Sequence, residues 1–294
     1  MLNALTIDVE DYFHVTNFEG CVGRESWEYM PLRVEENTRK ALELLSSHNA
    51  TATFFVLGWV AERMGRLVRE IRDAGHEVAS HGYAHRLAYE MTPDEFRADA
   101  QRSKAAIEDA IGERIYGYRA TSYSFQKGNL WCLKVLAEEG FTYDSSIFPV
   151  YHDRYGIPGW DRFPKALSKD GYTLCEVPPS TFRLLGYNLP MAGGGYLRLL
   201  PAWVTSRCIR SINESEGMPA VVYLHPWELD SEQPRIRTSR IRGFRHYNNL
   251  RGTERKLKHL LSNFRFAPVR EAIDFEMLKK DNKRGPVAAQ EGWI

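Results

Sequence analysis

Two histidines four residues apart, His81 and His85 in Ser80-His81-Gly82-Tyr83-Ala84-His85, could share one metal ion. In a helical turn, side chains at i and i+4 lie on one face. Gly82 stands where the glutamate of an H-E-x-x-H zincin would be, so that class is excluded. With nine histidines in the chain, such a pair also arises by chance. Upstream, Asp8-Val9-Glu10-Asp11 closes an apolar run. One of these acids could be a general base while another binds metal; a charged loop of helix-capping acids is the plainer reading. Arg119 could hold a neighbouring carboxylate ionised and oriented, although a lone Arg in such a place usually makes a surface ion pair. Asp144-Ser145-Ser146 reads by itself as a turn or cap. His225, in Tyr223-Leu224-His225-Pro226-Trp227, suits a general acid walled by an aromatic ring, or a core histidine satisfied by backbone.

These groups need a frame that brings them together. Leu2 to Val9 reads as a buried strand, Thr51 to Leu57 as a second, His76 to Ala79 as a third. Ile115 to Tyr118, Phe141 to Tyr143, Leu174 to Val177 and Ala220 to Leu224 continue the series. Helices are predicted over Arg33 to His48, Val60 to Ala74, Thr92 to Ile111, Asn129 to Glu139 and Leu199 to Ser215. Thr92-Pro93-Asp94-Glu95 has the form of a capping box with proline at the first helical position. Alternating strands and helices imply a parallel sheet with helices outside, as a barrel or an open doubly wound sheet. Either design puts functional groups at the C-terminal ends of strands, where all five motifs fall. The stretch from Phe148 to Tyr196, rich in Pro, Gly and aromatics, reads as long loops. Glu276 to Ile294 reads as a frayed polar tail.

The 294 residues are 43% hydrophobic and 26% charged, with a net charge of +1. That mix suits a soluble globular protein and offers no case for nucleic acid. No apolar run is long enough to span a bilayer. Met1 to Glu10 lacks the basic region and cleavage site of a secretory signal, so a cytoplasmic location is expected. Cys21, Cys132, Cys175 and Cys208 are far apart and are expected to be reduced, mostly buried thiols.

The ordered set Asp8, His81-x-x-x-His85, Arg119, Asp144 and Leu224-His225 resembles the five-motif series of the polysaccharide deacetylase family, also called NodB-homology or carbohydrate esterase 4-like. The resemblance runs from about Leu2 to Asp230. Asp8-Val9-Glu10-Asp11-Tyr12-Phe13-His14, Gly193-Gly194-Gly195-Tyr196 and His225-Pro226-Trp227-Glu228 are similar to the branch found with exopolysaccharide and exosortase loci. The resemblance implies a distorted, TIM-like (β/α) barrel forming one catalytic domain over 1–275, with a C-terminal extension at 231–275 and the tail at 276–294. It further implies a divalent metal, zinc by preference, on His81 and His85. Asp8 would be the catalytic base, Arg119 its tether, His225 the general acid and Asp144 the group that orients His225. The family usually has a second aspartate directly after the first as a metal ligand; here Val9 follows Asp8. Glu10 or Asp11 must then serve. Glu10 shares the face of Asp8 if the strand continues, and Asp11 fits if the chain turns; Asp11 is the slight preference. Thr121 and Ser122 replace the family's Pro and aromatic after the Arg, and Gly82 its Ser or Thr.

The implied reaction is hydrolysis of the acetamide of an N-acetylated glycan, with a lipid-linked sugar as one form of substrate. Trp160 and Trp227 are candidates for stacking on sugar, against the plainer role of core packing. The basic run Arg235, Arg237, Arg240, Arg242, Arg245, His246, Arg251 and Arg255 could line a rim of the cleft, or be a solvated surface. Two rivals stand beside this reading: a cyclic amidase of the allantoinase-like relatives, which needs a small closed site, and a glycan-binding module without activity.

Overall fold

The computed structural model describes residues 1–284. It contains β1 (Leu2–Val9), α1 (Val34–Ser46), β2 (Thr53–Val56), α2 (Gly58–Arg63), α3 (Gly65–Asp73), β3 (Glu77–Ser80), α4 (Pro93–Ile111), β4 (Gly117–Tyr118), α5 (Trp131–Glu138) and β5 (Tyr143–Asp144). There follow β6 (Lys165–Lys169), β7 (Tyr172–Glu176), β8 (Thr181–Leu184), β9 (Tyr187–Pro190), α6 (Gly194–Leu199), α7 (Ala202–Ser215) and β10 (Val221–Leu224). The chain ends in α8 (Arg240–Tyr247), α9 (Leu250–Asn263), β11 (Arg265–Ala267), α10 (Val269–Ala272) and α11 (Phe275–Arg284).

The main sheet runs β10-β1-β2-β3-β4-β5-β7-β6, and all its pairs are parallel except the β6–β7 hairpin. β1 is buried along nearly all its length, as a strand covered on both faces must be. β11 pairs with the first residues of β1, below β2, so the C-terminal extension is part of the sheet. Beyond β10 the sheet is closed by irregular chain: Ser180 N–H donates to the Val221 carbonyl (3.0 Å), and Tyr223 N–H to that of Ala192 (2.9 Å). Gly193 is required there, since a Cβ would sit 1.8 Å from the Tyr223 carbonyl oxygen. This is the expected distorted barrel, with helices around it. Tyr118 lies beside Ser80 and Asp144, and Leu224 beside Ile7, so the C-terminal ends of the site-bearing strands are level.

Helix α4 starts with the capping box read from Thr92 and Glu95 and ends at a left-handed Gly112. Three expectations are corrected. The helix over Val60 to Ala74 is two helices, broken at Met64. The span 148–196 is not only loop, because it contains both antiparallel hairpins, β6–β7 and β8–β9. The tail is helical in α11 as far as Arg284, and the rest of it lies outside the described residues. No helix among the described residues is long and apolar enough to cross a membrane.

Candidate metal and acid–base site

Past the end of β1 the two neighbouring acids part. Asp11 turns away: its Oδ2 accepts the backbone N–H groups of Arg33 (2.7 Å) and Val34 (2.9 Å), and its Oδ1 that of Tyr12 (2.8 Å). It thus satisfies the exposed donors at the start of α1. Burial lifts its carboxyl to about 6 despite these donors. Glu10 points into the barrel mouth. Glu10, His81 and His85 are all buried, and one ligand atom from each lies within 4.8 Å of the others. Glu10, and not the preferred Asp11, is therefore the carboxylate brought to the two histidines. The reason is geometric: Asp11 spends one oxygen on the start of α1 and the other on the Tyr12 N–H.

His81 and His85 do not lie on a helical turn, another correction. They sit in a loop after β3 in which Gly82 (φ 71°) and His85 (φ 49°) are left-handed. The loop is pinned from several sides. The His81 N–H donates to the Val56 carbonyl (2.9 Å), and the Gly82 carbonyl accepts from Gly58 N–H (2.9 Å) and Ser103 Oγ (2.9 Å). A side chain at Gly82 would meet Asp99 at 3.1 Å and force this conformation on an L residue. His81 Nδ1 lies 2.9 Å from the Arg119 carbonyl, which can only accept. Nδ1 therefore carries the proton and Nε2 keeps its lone pair for a metal.

The donor set fits a divalent ion. One carboxylate and two imidazoles make three protein ligands, as a catalytic site requires. Glu10 Oε1 accepts from Trp227 Nε1 (3.2 Å), which orients the carboxylate. Glu10 Oε2 lies 2.9 Å from His85 Nε2 and is a buried oxygen to which no donor makes a hydrogen bond. Burial would raise the Glu10 carboxyl, yet His85, His225 and His81 around it hold it well below the usual carboxylate range. Burial pushes His81 down to about 4. Glu10 is thus anionic and His81 neutral at neutral pH, the states that metal ligation requires.

Asp8, two residues before Glu10, points to the same face. Its Oδ1 accepts from Arg119 Nη1 at 2.7 Å, with both side chains almost fully buried. Arg119 is itself held by Thr6 Oγ1 (2.8 Å), Ser145 Oγ (2.9 Å) and the Ser145 carbonyl (3.2 Å). A buried guanidinium needs such a full set of acceptors. The Asp144-Ser145-Ser146 motif therefore serves Arg119 rather than His225. Asp144 accepts from Ser146 Oγ (2.5 Å) and Ser146 N–H (3.2 Å), and Ser146 Oγ takes the Ala120 N–H (2.7 Å). Burial raises Asp144 to about 6.

The carboxylate beside His225 is Glu228. Its Oε1 is 2.6 Å from His225 Nδ1, and its Oε2 accepts from Arg198 Nε at 2.7 Å. The expected Asp144–His225 contact is thus corrected. Residues 226–229 form a short 3-10 turn with Pro226 first, and that turn carries Glu228 back to His225. His-Pro-x-Glu has the form of a capping box, a signal in the sequence that would have found it. His225 Nε2 faces the mouth, 3.5 Å from Glu10 and 3.8 Å from Asp8. Burial alone would lower His225, but Glu10, Glu228 and Asp8 lift it to about 9. Trp227 is stacked between His225 and His246.

Asp8, Glu10, His81, His85 and His225 line the floor of a cleft of about 610 Å³. Its walls include Tyr89, Tyr151, Tyr155, Tyr196 and Phe244. Tyr151 and Phe244 are 80% and 59% exposed. Trp160 is buried in the core instead, which removes it as a sugar platform. Of the basic run, only Arg245 lines the cleft, and it pairs with Asp153 (3.3 Å). Ser122 also lines it, in left-handed backbone (φ 52°) with Oγ 3.0 Å from Thr16 Oγ1. Cys132, Cys175 and Cys208 are buried free thiols, and Cys21 is exposed.

Residues 26–143 match the family described as polysaccharide deacetylase, and residues 145–274 a domain of unknown function, DUF3473. A peptidoglycan deacetylase of Helicobacter pylori is 30% identical over 132 residues, 44% of each chain. A peptidoglycan-N-acetylglucosamine deacetylase of Bacillus cereus is 40% identical over 77 residues, 26% of this chain and 28% of that one. The chain thus spans less than half the length of these relatives. The crystal structure of a Mycobacterium smegmatis protein assigned to the polysaccharide deacetylases superposes with a TM-score of 0.61 at 21% identity, over 95% of this chain and 90% of that one. That likeness concerns the fold.

Proposed function

We propose that this chain, whose residues 26–143 match the polysaccharide deacetylase family, is a metal-dependent hydrolase that removes the acetyl group from N-acetylated sugars of a polysaccharide or its precursor. One observation carries the reading: a buried carboxylate held by arginine, a three-residue metal donor set and a histidine backed by glutamate converge on one cleft floor. Glu10, His81 and His85 would hold the metal, with zinc the ion proposed. When bound, the ion polarises the acetamide carbonyl and makes water acidic enough to attack at neutral pH. Asp8 is the base. Arg119 occupies its Oδ1 and leaves Oδ2, on the His225 side, to accept the proton of the attacking water. His225 faces Asp8 across the floor and gives its Nε2 proton to the departing amine. Glu228, at hydrogen-bond distance from Nδ1, favours the charged ring that carries that proton.

The wide, aromatic-walled cleft favours a glycan over a small ureide. Similarity in the Asp8-to-His14 and Gly193-to-Tyr196 segments supports an exopolysaccharide or its lipid-linked precursor as the setting. The test is acetate release from a panel of N-acetylated oligosaccharides. Release that chelator abolishes and zinc restores is the expected result. Metal-loaded protein that releases acetate from none of them overturns the reading.

A further inference from the structure

We infer that Arg198 is a positioning residue that ties His225 to the outer wall of the cleft, so that a longer glycan held by that wall meets a better placed acid. This rests on the proposed deacetylation and extends it to how substrate length enters the rate.

Arg198 ends the last turn of α6 and is 2% exposed. One edge of its guanidinium donates from Nε to Glu228 Oε2 at 2.7 Å. The other oxygen of Glu228 takes His225, at Nδ1 (2.6 Å) and at the backbone N–H (3.1 Å). The far edge donates to three carbonyls at the end of α8: Arg245 (3.0 Å), His246 (2.6 Å) and Asn248 (3.0 Å). Carbonyls in a last helical turn lack helical donors, and a cation there satisfies them. Phe244, Arg245 and Asn248 around this turn line the cleft. One planar group thus joins the acid to the wall. A second path runs parallel to it: His246, just after Arg245, stacks on Trp227 (4.2 Å), and Trp227 stacks on His225 (5.2 Å).

The unit is braced from behind. Lys256, on α9, donates to the carbonyls of Leu197 (3.0 Å), Arg198 (2.6 Å) and Leu200 (2.7 Å), and Asn249 to that of Arg198 (2.7 Å). Helices α6, α8 and α9 are thereby tied to one another, with His225 attached. A buried guanidinium is costly to desolvate, and an apolar side chain would pack α6 on α8 at less expense. What only the arginine fork supplies is a rigid span between a carboxylate and three carbonyls; lysine, a point charge, reaches one side at a time. Contacts made by sugars remote from the reacting acetamide then raise kcat instead of only lowering KM.

The test uses the full chain carrying isotopically labelled histidine, with Arg198→Lys, Glu228→Gln and Glu228→Asp, each checked by thermal melting. In the parent protein the Nδ1–H of His225, identified by its loss in His225→Gln, gives a far-downfield imidazole signal. Arg198→Lys removes that signal although Glu228 remains. With zinc and N-acetylglucosamine oligomers from monomer to pentamer as probes, Arg198→Lys lowers kcat on the pentamer by about 10–100-fold, as expected of a small misplacement, with KM little changed. The kcat advantage of pentamer over monomer shrinks, and Glu228→Asp recovers part of what Glu228→Gln loses. An Arg198→Lys protein that keeps both the signal and the pentamer kcat overturns the inference. Loss of the signal in a protein whose parent releases no acetate supports the positioning and sinks the deacetylase reading alone. Should Arg198→Lys not fold, Phe244→Ala replaces it: a larger fall of kcat on pentamer than on monomer supports the inference, and a change in KM alone overturns it.

Discussion

Glu10 and Asp11 are adjacent residues of the same charge, and exchanging each carboxylate for its amide should show which of them binds metal. In Glu10→Gln one of three metal ligands is lost. Removing a group that merely supports a metal ligand costs about 10–100-fold in affinity, so removing a ligand should exceed about 100-fold. That corresponds to more than about 2.7 kcal/mol. The amide oxygen can still accept from Trp227 Nε1, but it forgoes the attraction of the histidines that holds the carboxylate ionised, so the metal-free melting temperature should fall as well. In Asp11→Asn the metal affinity should stay within about tenfold, less than one tenth of the loss in the other variant. Its cost falls on the fold. Three backbone N–H groups point at the two Asp11 oxygens, and an amide has one acceptor to offer. Against that loss stands the burial cost that lifts Asp11 to about 6, which the neutral amide escapes. The net destabilisation should be about 1–2 kcal/mol, the range for a lost helix cap. At about 2–4 °C per kcal/mol the melting temperature drops by a few degrees. Calorimetric zinc titration of stripped protein and melts with and without zinc measure both quantities. An Asp11→Asn protein that loses zinc while Glu10→Gln binds like the parent would refute the assignment. The chain would then turn after Val9 differently in solution, and the set of Glu10, His81 and His85 would fall.

Asp8→Asn and His225→Ala should each lower kcat by at least about 10²–10⁴-fold while keeping bound zinc, the first with a lower melting temperature because Arg119 loses its buried counter-charge; near-normal turnover in either pure, folded variant removes the base or acid role. His76 supplies an acid-sensitive element away from the site. Its Nδ1 accepts the Ala52 N–H (3.2 Å), and burial pushes it from 6.5 down to about 4. The unfolded chain binds a proton there as pH falls below 6.5, whereas the folded one resists until about 4. The stability is therefore complete above pH 6.5 and declines by on the order of 3 kcal/mol on the way to pH 4. In His76→Gln the urea midpoint of metal-free protein should fall less steeply across that window, and an unchanged slope would show that His76 is not the group responsible.

How much of this was legible in the sequence depends on how local each determinant is. The start of α4 was readable because Thr92, Pro93 and Glu95 settle it among themselves. The turn at Asp170-Gly171 was readable and missed: both residues are left-handed, as a tight hairpin wants, between the strands β6 and β7. Leu185-Gly186 makes the same kind of turn and could not be read, since leucine seldom adopts positive φ. The choice between Glu10 and Asp11 was open because its deciding contacts are distant: Asp11 is claimed by α1 and Glu10 by Trp227. The i, i+4 spacing of His81 and His85 suggests a pair on a helical turn, and the structure brings the two together in a loop. A left-handed Gly82 and the Val56 and Arg119 carbonyls aim the loop instead. Arg119 shows the limit most clearly. Its side chain type suggests a tether, but that it tethers Asp8 follows from Thr6 and Asp8 on β1 meeting the end of β4 across the barrel mouth. Residue types reveal which chemistry is available. The level strand ends of a closed parallel sheet decide which of those residues can perform it together.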